Sequence, residues 1–210
     1  MFCRILCKRF DGILKHNLFT MNKTIALLTL VTSAWIGNPV AGQSTDVNLK
    51  LSTVTWEGGK VIGGDHAGEI KIKSAELEMN KTGILSGTFT MDMASMTNTD
   101  LGEEYGAKLM GHLKSPDFFA VEQFPEAQLV IAKASSFKNE TSTVEANVSI
   151  KGITERVTFD VQRDGQALDA ILVLDRSKFD VRYGSNSFFD NLGDNAISDE
   201  FILNIHLVVL

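Results

Sequence analysis

Apolar and polar residues alternate along most of the chain from residue 43 onward, and this alternation constrains the fold more than any other feature. Ile70 and Ile72 flank Lys71, for example, and residues 201–207 alternate in the same way. Because successive side chains of a β-strand point to opposite faces, a period of two predicts strands with one buried face. The chain contains about eight such segments, which predicts an all-β fold.

Short turns separate the predicted strands and predict antiparallel neighbours. Residues 80–83, Asn-Lys-Thr-Gly, are typical of a hairpin turn. The pair Asp164-Gly165 favours the positive φ of another tight turn. A sheet of this size avoids exposed edges by closing into a barrel or by stacking as a sandwich, and the alternation alone leaves both architectures open.

Two segments depart from simple alternation. Leu49 and Leu51 share one parity and Val54 takes the other, which predicts a bulge near residues 52–53. Residues 168–174 are apolar on both parities. That pattern predicts a strand that is covered on both faces.

One insertion has a helical period. Leu101, Tyr105 and Leu109 recur every four residues within residues 100–113, which predicts an amphipathic helix. Asp100 precedes the apolar series and is predicted to cap this helix. We expect the insertion to lie over one open end of the sheet structure.

Residues 21–42 have the three regions of a secretory signal peptide. Lys23 gives a basic start, residues 25–36 form an uncharged apolar run, and Val40-Ala41-Gly42 is a small-residue cleavage site. The run has twelve residues, whereas a membrane-spanning helix needs roughly 20. We therefore expect export and cleavage, with no stable membrane anchor.

Residues 1–20 do not fit this signal peptide, and we expect that the native protein starts at Met21. Both cysteines, Cys3 and Cys7, lie in that first segment. The remaining residues 43–210 are predicted to form one domain without disulfides or thiolate metal sites. An exported domain of this kind is typical of a bacterial periplasm rather than of small disulfide-rich secreted proteins.

The predicted domain is acidic. Residues 43–210 contain 15 Lys and Arg against 25 Asp and Glu, a net charge of −10. Nucleic acids are bound mainly through cationic side chains that neutralise phosphates, and anionic membranes attract basic segments. The composition therefore argues against both partners.

The sequence predicts no catalytic residue and no metal site. His66, His112 and His206 lack the close spacing of metal motifs. The chain has no Gly-x-Ser-x-Gly motif, and adjacent acidic pairs such as Glu103-Glu104 point apart in a helix or strand. The predicted domain is accordingly interpreted as a non-enzyme that needs no cofactor.

Several separated motifs resemble those of the YceI-like family of exported lipid- or polyisoprenoid-binding proteins. The resemblance spans residues 46–210. The motifs are His112-Leu113-Lys114-Ser115-Pro116-Asp117-Phe118-Phe119, Lys151-Gly152-Ile153-Thr154, Asp175-Arg176-Ser177-Lys178-Phe179, Tyr183-Gly184-Ser185 and Phe188-Phe189-Asp190.

This resemblance implies an eight-stranded antiparallel, lipocalin-like β-barrel with a helical insertion near its mouth. It also implies an apolar tunnel, an isoprenoid or fatty-acyl ligand and a homodimer. An eight-stranded barrel encloses room for one small ligand, and flexible methionines suit an irregular apolar lining.

The chain has thirteen phenylalanines against two tyrosines, and many of them follow the predicted helix or precede the last strand. We predict that they close the mouth, while alternating strand residues line the tunnel. The predicted ligand-binding residues are Leu85, Phe89, Met91, Phe118, Phe119, Phe124, Phe179, Phe188, Phe189 and Leu203.

The preferred interpretation is a periplasmic or secreted protein that carries or sequesters an apolar chain. One alternative is a small enzyme that acts on a lipid-like substrate in the same cavity through His66 or His112. Another is a structural or stress-response module that works through protein contacts.

Overall fold

The computed structural model describes residues 43–210. Its strands form a closed antiparallel barrel with eight strands around its circumference. The predictions for residues 1–20 and 21–42 lie outside the described residues. The strands are Gln43–Thr45 (β1), Thr53–Gly59 (β2), Asp65–Met79 (β3), Ile84–Asn98 (β4), Glu126–Ala134 (β5), Thr141–Ile150 (β6), Ile153–Asp164 (β7), Ala167–Asp175 (β8) and Glu200–Val208 (β9).

The strand order is β3-β2-β9-β8-β7-β6-β5-β4, and β4 pairs with β3 to close the ring. The short strand β1 pairs with the far end of β3, where Gln43 lies opposite Met79, while β2 pairs with the near end of β3. Strands β1 and β2 are therefore two parts of one interrupted strand. The predicted all-β, eight-stranded antiparallel barrel is confirmed.

A turn, rather than the predicted bulge, separates β1 from β2. The carbonyl oxygen of Asn48 accepts hydrogen bonds from the backbone amides of Leu51 (3.2 Å) and Ser52 (3.0 Å). Leu49 and Leu51 are exposed in this turn. The parity changes at Val54 because the chain leaves the sheet and re-enters it, so the prediction of a bulge near residues 52–53 is wrong.

Both predicted hairpin turns are confirmed. The side-chain oxygen of Asn80 accepts hydrogen bonds from the amides of Thr82 (2.8 Å) and Gly83 (2.9 Å) between β3 and β4. Gly165 has a φ of +58° between β7 and β8, which is the left-handed conformation that glycine adopts without strain.

The predicted insertion forms helix α1, Glu103–Lys114, between β4 and β5. The N-cap residue is Gly102 and no side chain caps the helix, so the predicted cap at Asp100 is wrong. Tyr105 is exposed, although Leu109 faces the barrel. The helix contacts the barrel through buried Gly106, which lies against Asn98 of β4, and through Leu109 and later residues that line the cavity.

Strand β8 places Leu172 and Leu174 inside the barrel, each 2% exposed, whereas Ile171 and Val173 on its outer face are 63% and 55% exposed. The prediction that this strand is covered on both faces is therefore wrong for the single chain. The sequence did not reveal which side chains of this strand point inward, because the outer positions are also apolar.

The wall between β7 and β8 has few backbone pairs. Register between the two strands covers only residues 161–164 against 167–170. Beyond these pairs, a 3₁₀ turn at Arg176–Phe179 lies beside β7. Phe179 and Val181, 1% and 0% exposed, pack there against core residues of the barrel.

Candidate functional site

The barrel encloses an apolar cavity with a volume of about 340 Å³. This volume lies within the range of small-molecule sites in proteins, roughly 300–1,000 Å³. One end is closed by buried side chains from strands β3, β4, β8 and β9. These residues are Leu77, Ile84, Leu168 and Leu207.

The cavity wall continues along the barrel to the end at which helix α1 lies. On β4 alone it extends from Ile84 to Met96. At about 3.3 Å per residue this is roughly 40 Å along the strand, and strand tilt reduces it to about 30 Å along the barrel axis. The cavity is thus elongated. Its middle is lined by residues that include Phe89, Met91, Leu129, Phe159, Ala170 and Leu203.

At the opposite end, which we call the mouth, the lining reaches partly exposed polar residues. They include Lys60, His66 and Glu200. Helix α1 contributes Leu109, His112 and Leu113 to the wall at this end. The predicted position of the insertion over an open end is confirmed.

Aromatic side chains join the helix to the later loops at the mouth. The ring of His112 lies 4.4 Å from that of Tyr183 and 5.6 Å from that of Phe118, both edge to face. Phe118 in turn contacts Phe119 at 5.0 Å between ring centres. Edge-to-face packing of this kind fixes ring orientation, so the helix, the Phe pair and the residue 183 loop form one packed unit.

Trp56 on β2 belongs to the same apolar cluster at the mouth as Met110 and Leu113 of helix α1. Its indole nitrogen donates a hydrogen bond to the carbonyl oxygen of Thr97 (3.1 Å), and its ring lies directly against Gly68. A Cβ atom at residue 68 would overlap the Thr97 carbonyl and come within 2.5 Å of Cζ2 of Trp56. Glycine is therefore required there for the tryptophan to pack along the cavity wall.

Arg176 is the buried cation of the mouth, with only 3% of its side chain exposed. Its guanidinium donates hydrogen bonds to the carbonyl oxygens of four residues, at 2.8–3.0 Å. These residues are Val181, Tyr183, Ile197 and Ser198. Burial lowers the pKa of Arg176, while the carboxylates of Asp199 and Asp175 act in the opposite direction. Because its donors are already used within the loop, this arginine organises the mouth rather than offering a free anion site.

His66 and Asp100 form a second polar pair at the mouth, with 2.9 Å between Nδ1 and Oδ2. Asp100 also accepts hydrogen bonds from the amide of Ala67 (3.0 Å) and the side chain of Asn98 (2.5 Å). The hydrogen bond from His66 is the largest cause, followed by that from Ala67, of a lowered pKa of Asp100, about 2. The pair connects the start of β3 to the segment before α1.

Five predicted ligand-binding residues lie on the cavity wall. They are Phe89, Met91, Phe118, Phe119 and Leu203. The structure brings these side chains together from two strands of the barrel and the segment after α1, so their predicted binding role is compatible with their positions.

Leu85 does not line the cavity, and its predicted inward orientation is wrong. Register shifts between β3 and β4 so that Glu78 lies opposite Ser86 and Met79 opposite Ile84. Leu85 is therefore the extra residue on β4. Its side chain is 42% exposed, whereas Ile84 is 5% exposed and lines the cavity.

Four predicted phenylalanines also lie off the cavity wall. Phe179 is buried beside β7, and half-buried Phe124 lies next to the turn at Gly152. Phe188 and Phe189 are 39% and 50% exposed, because their amides fold back onto the carbonyl oxygen of Ser185. These residues shape or surround the mouth but do not close it.

Most of the cavity lining on β6 to β8 was not among the ligand-binding residues predicted from the sequence. Examples are Val148, Phe159 and Leu172. Each of these residues lies an even number of positions from other buried residues of its strand. This spacing identifies them once it is known which face of the strand points inward.

The chemistry of this site favours an apolar chain. Among residues 43–210, no group of three or more His, Cys, Asp or Glu side chains is arranged to hold a metal ion. Within the same part of the chain, no helix has both the length and the apolar character needed to cross a membrane. The wall offers dispersion contacts along its length, with polar groups concentrated at the mouth.

Comparison with known proteins agrees with this architecture. A family model, described as the YceI-like domain, matches residues 45–209. Among proteins with curated descriptions, none matches the chain. Solved structures with similar folds include the following three.

BcnA of Burkholderia cenocepacia is 26% identical, with a TM-score of 0.62, over 79% of this chain and 99% of that protein. A polyisoprenoid-binding domain from Saccharophagus degradans, implicated in plant cell wall breakdown, is 12% identical, with a TM-score of 0.55, over 80% and 98%. A YceI protein of Campylobacter jejuni is 15% identical, with a TM-score of 0.51, over 93% and 98%.

Proposed function

The chain belongs to the YceI-like domain family, and we propose that it is a non-enzymatic protein that binds a single isoprenoid or fatty-acyl chain in its barrel. The elongated apolar cavity is the observation that carries this proposal. The polyisoprenoid-binding domain with a similar fold supports the ligand class.

The shape of the cavity selects a linear ligand. Its wall extends along most of the barrel, and its closed end is lined by aliphatic side chains such as Leu77 and Leu207. Each methylene group moved from water into such a site contributes roughly 0.8 kcal/mol. A long chain therefore binds without many polar contacts, and its polar head lies at the mouth near Lys60 and His66.

We propose that the protein acts as a carrier or store after export to the periplasm or the medium, with residues 21–42 removed as a signal peptide. The uncharged run at residues 25–36 and the small residues before Gln43 support this. Mass spectrometry of the exported protein should find a chain that starts close to residue 43. A chain that keeps residues 21–42 would contradict the proposal.

We also propose that two copies associate through the outer face of β8. Ile171 and Val173 are exposed there, and Ile202 lies opposite Val173 on the neighbouring strand. Exposed apolar side chains that cluster on a protein surface mark an interaction surface. Pairing of two such faces removes these side chains from water.

The direct test is identification of the bound molecule. Native mass spectrometry and solvent extraction of the protein, purified without detergent, should detect one apolar chain per barrel. A protein that contains no lipid and does not take up a fluorescent fatty acid would overturn the proposal. A turnover of a lipid-like substrate that is lost on replacing His66 or His112 by alanine would also contradict it.

A further inference from the structure

Apolar side chains are exposed on the loops around the mouth. Val61 and Ile62, in the connection between β2 and β3, are 57% and 64% exposed, and Phe188 and Phe189 in the later connection are also exposed. Exposed apolar residues that cluster at one place mark an interaction surface more often than scattered ones.

The two connections lie next to each other. Lys60 forms a backbone bridge with Ile197, and the amide of Val61 donates a hydrogen bond to the carbonyl oxygen of Ala196 (2.9 Å). We call residues 60–64 and 182–197 the mouth loops. Because β2 ends at Gly59 beside the start of β3, these loops lie at the end at which the cavity reaches the surface.

The mouth loops are continuous with the cavity wall. Lys60 and Ile197 line the cavity, and Tyr183 packs on His112, which also lines it. An apolar molecule that leaves the cavity at this end therefore meets apolar loop side chains rather than water alone.

The charge at this end fits an uncharged surface. The connections at residues 60–64, 99–125, 151–152 and 176–199 contain nine acidic and seven basic residues. Anionic membranes are recognised by clusters of Lys and Arg, and no such excess exists here. Exposed aliphatic and aromatic side chains instead suit the interface of a neutral bilayer.

We propose that the mouth loops dock on the surface of a zwitterionic phospholipid bilayer, so that the apolar ligand passes between membrane and cavity without crossing water. This inference rests on the proposed function, because only a protein with an apolar ligand needs such a contact. Val61 and Ile62 insert at the interface, and Phe188 and Phe189 of the neighbouring connection add exposed apolar surface at the same end.

Sedimentation with phosphatidylcholine vesicles tests the docking surface. The Val61→Ser/Ile62→Ser variant should partition onto these vesicles about tenfold less than the unchanged chain, because two apolar side chains no longer leave water. The matched control is Leu49→Ser/Leu51→Ser, which removes exposed apolar residues from a turn away from the mouth. That control should partition like the unchanged chain.

A site-specific reporter shows which end touches the membrane, whatever residues 1–42 contribute. In a chain with Cys3 and Cys7 replaced by serine, an environment-sensitive fluorophore is attached at Ile62→Cys or at Leu51→Cys. Vesicles should shift the emission of the label at residue 62 to shorter wavelength and leave that at residue 51 unchanged.

Equal partitioning of the loop variant and the control, or an unchanged emission at residue 62, would overturn the docking proposal. The exposed side chains of the mouth loops would then indicate a contact with a protein partner. Binding that requires anionic lipid would equally overturn it. Uptake of a pyrene-labelled fatty acid in solution is measured in parallel. If uptake is retained without vesicle docking, this inference fails while the proposed function stands; loss of both refutes the function itself.

Discussion

The guanidinium of Arg176 lies 3.3 Å from the carboxylate of Asp199, within the loop that separates the end of β8 from the start of β9. Asp199 in turn accepts a hydrogen bond from the hydroxyl of Ser187 (2.7 Å). The ion pair lacks the alignment of a hydrogen bond, since the guanidinium directs its donors at backbone carbonyls. The buried side chain of Arg176 thus connects several parts of this loop.

Replacing Arg176 by methionine should lower the free energy of unfolding by about 3–5 kcal/mol, because several backbone carbonyls and the half-buried carboxylate of Asp199 lose their partner. Denaturant unfolding measures the change. The control Arg182→Met removes an exposed ion pair with Asp180 and should cost less than about 1 kcal/mol. Similar losses in the two variants would show that the Arg176 network contributes little.

Filling the cavity from its wall should block ligand uptake. Ala170 lines the cavity, whereas its neighbour Ile171 points outward. Ala170→Phe should weaken fatty-acid binding about tenfold or more, at a stability cost of roughly 1–3 kcal/mol from overpacking. Ile171→Phe should bind like the unchanged chain in the same fluorescence titration. Unchanged affinity in Ala170→Phe would place the ligand elsewhere.

Acid should weaken the fold partly through Asp100. Its pKa falls from an ordinary 3.8 in the unfolded chain to about 2 in the folded protein. The stabilisation is therefore complete above about pH 4 and is lost as the pH falls toward about 2. Asp100→Asn should lose less stability over this interval than the unchanged chain when denaturant midpoints are compared at each pH.

The matched control for that experiment is Asp117→Asn, at an exposed position after α1, which should keep the pH dependence of the unchanged chain. If Asp100→Asn keeps it as well, the hydrogen bonds from His66 and Ala67 do not stabilise the ionised carboxylate.

Gly68→Ala should destabilise the protein by about 3 kcal/mol or more, because the new methyl group overlaps the Thr97 carbonyl and the Trp56 ring. Trp56 must move, so its fluorescence maximum should shift to longer wavelength. Gly64→Ala is the control, since nothing lies within 4 Å of a Cβ atom at that position. Equal thermal stability of the two variants would contradict the packing described for Trp56.

Charge on the outer face of β8 should prevent self-association. Ile171→Lys/Val173→Lys is expected to convert a dimer into a monomer, because two cations are then brought together at the contact. Light scattering coupled to size exclusion measures the mass. Leu85→Lys, an exposed leucine on another strand, should leave the mass unchanged. A monomeric unchanged chain would refute the dimer.

The sequence predicted the strands and the inner face of β9 well because alternation follows directly from strand geometry. Phe201, Leu203 and Ile205 line the cavity. The turn residues identified the hairpin at residues 80–83, since Asn and Gly have conformational preferences that act locally.

It could not predict the position of Leu85. The register shift near Glu78 depends on how two strands meet, and one extra residue reverses the face of every side chain beyond it. The exposure of Phe188 and Phe189 was hidden for a different reason. Their direction depends on a long loop held by Arg176, which no local pattern encodes.

Because β7 and β8 share few backbone pairs, this part of the barrel wall is held together by the fewest hydrogen bonds between strands. Local opening there separates Phe179 and Val181 from their neighbours without breaking a full set of strand pairs, and segments of this kind open at free energies below that of global unfolding. Amide hydrogen–deuterium exchange along residues 154–160 should therefore be faster in the ligand-free protein than in the ligand-bound protein. The exchange rate of the wall would then indicate whether a ligand occupies the interior.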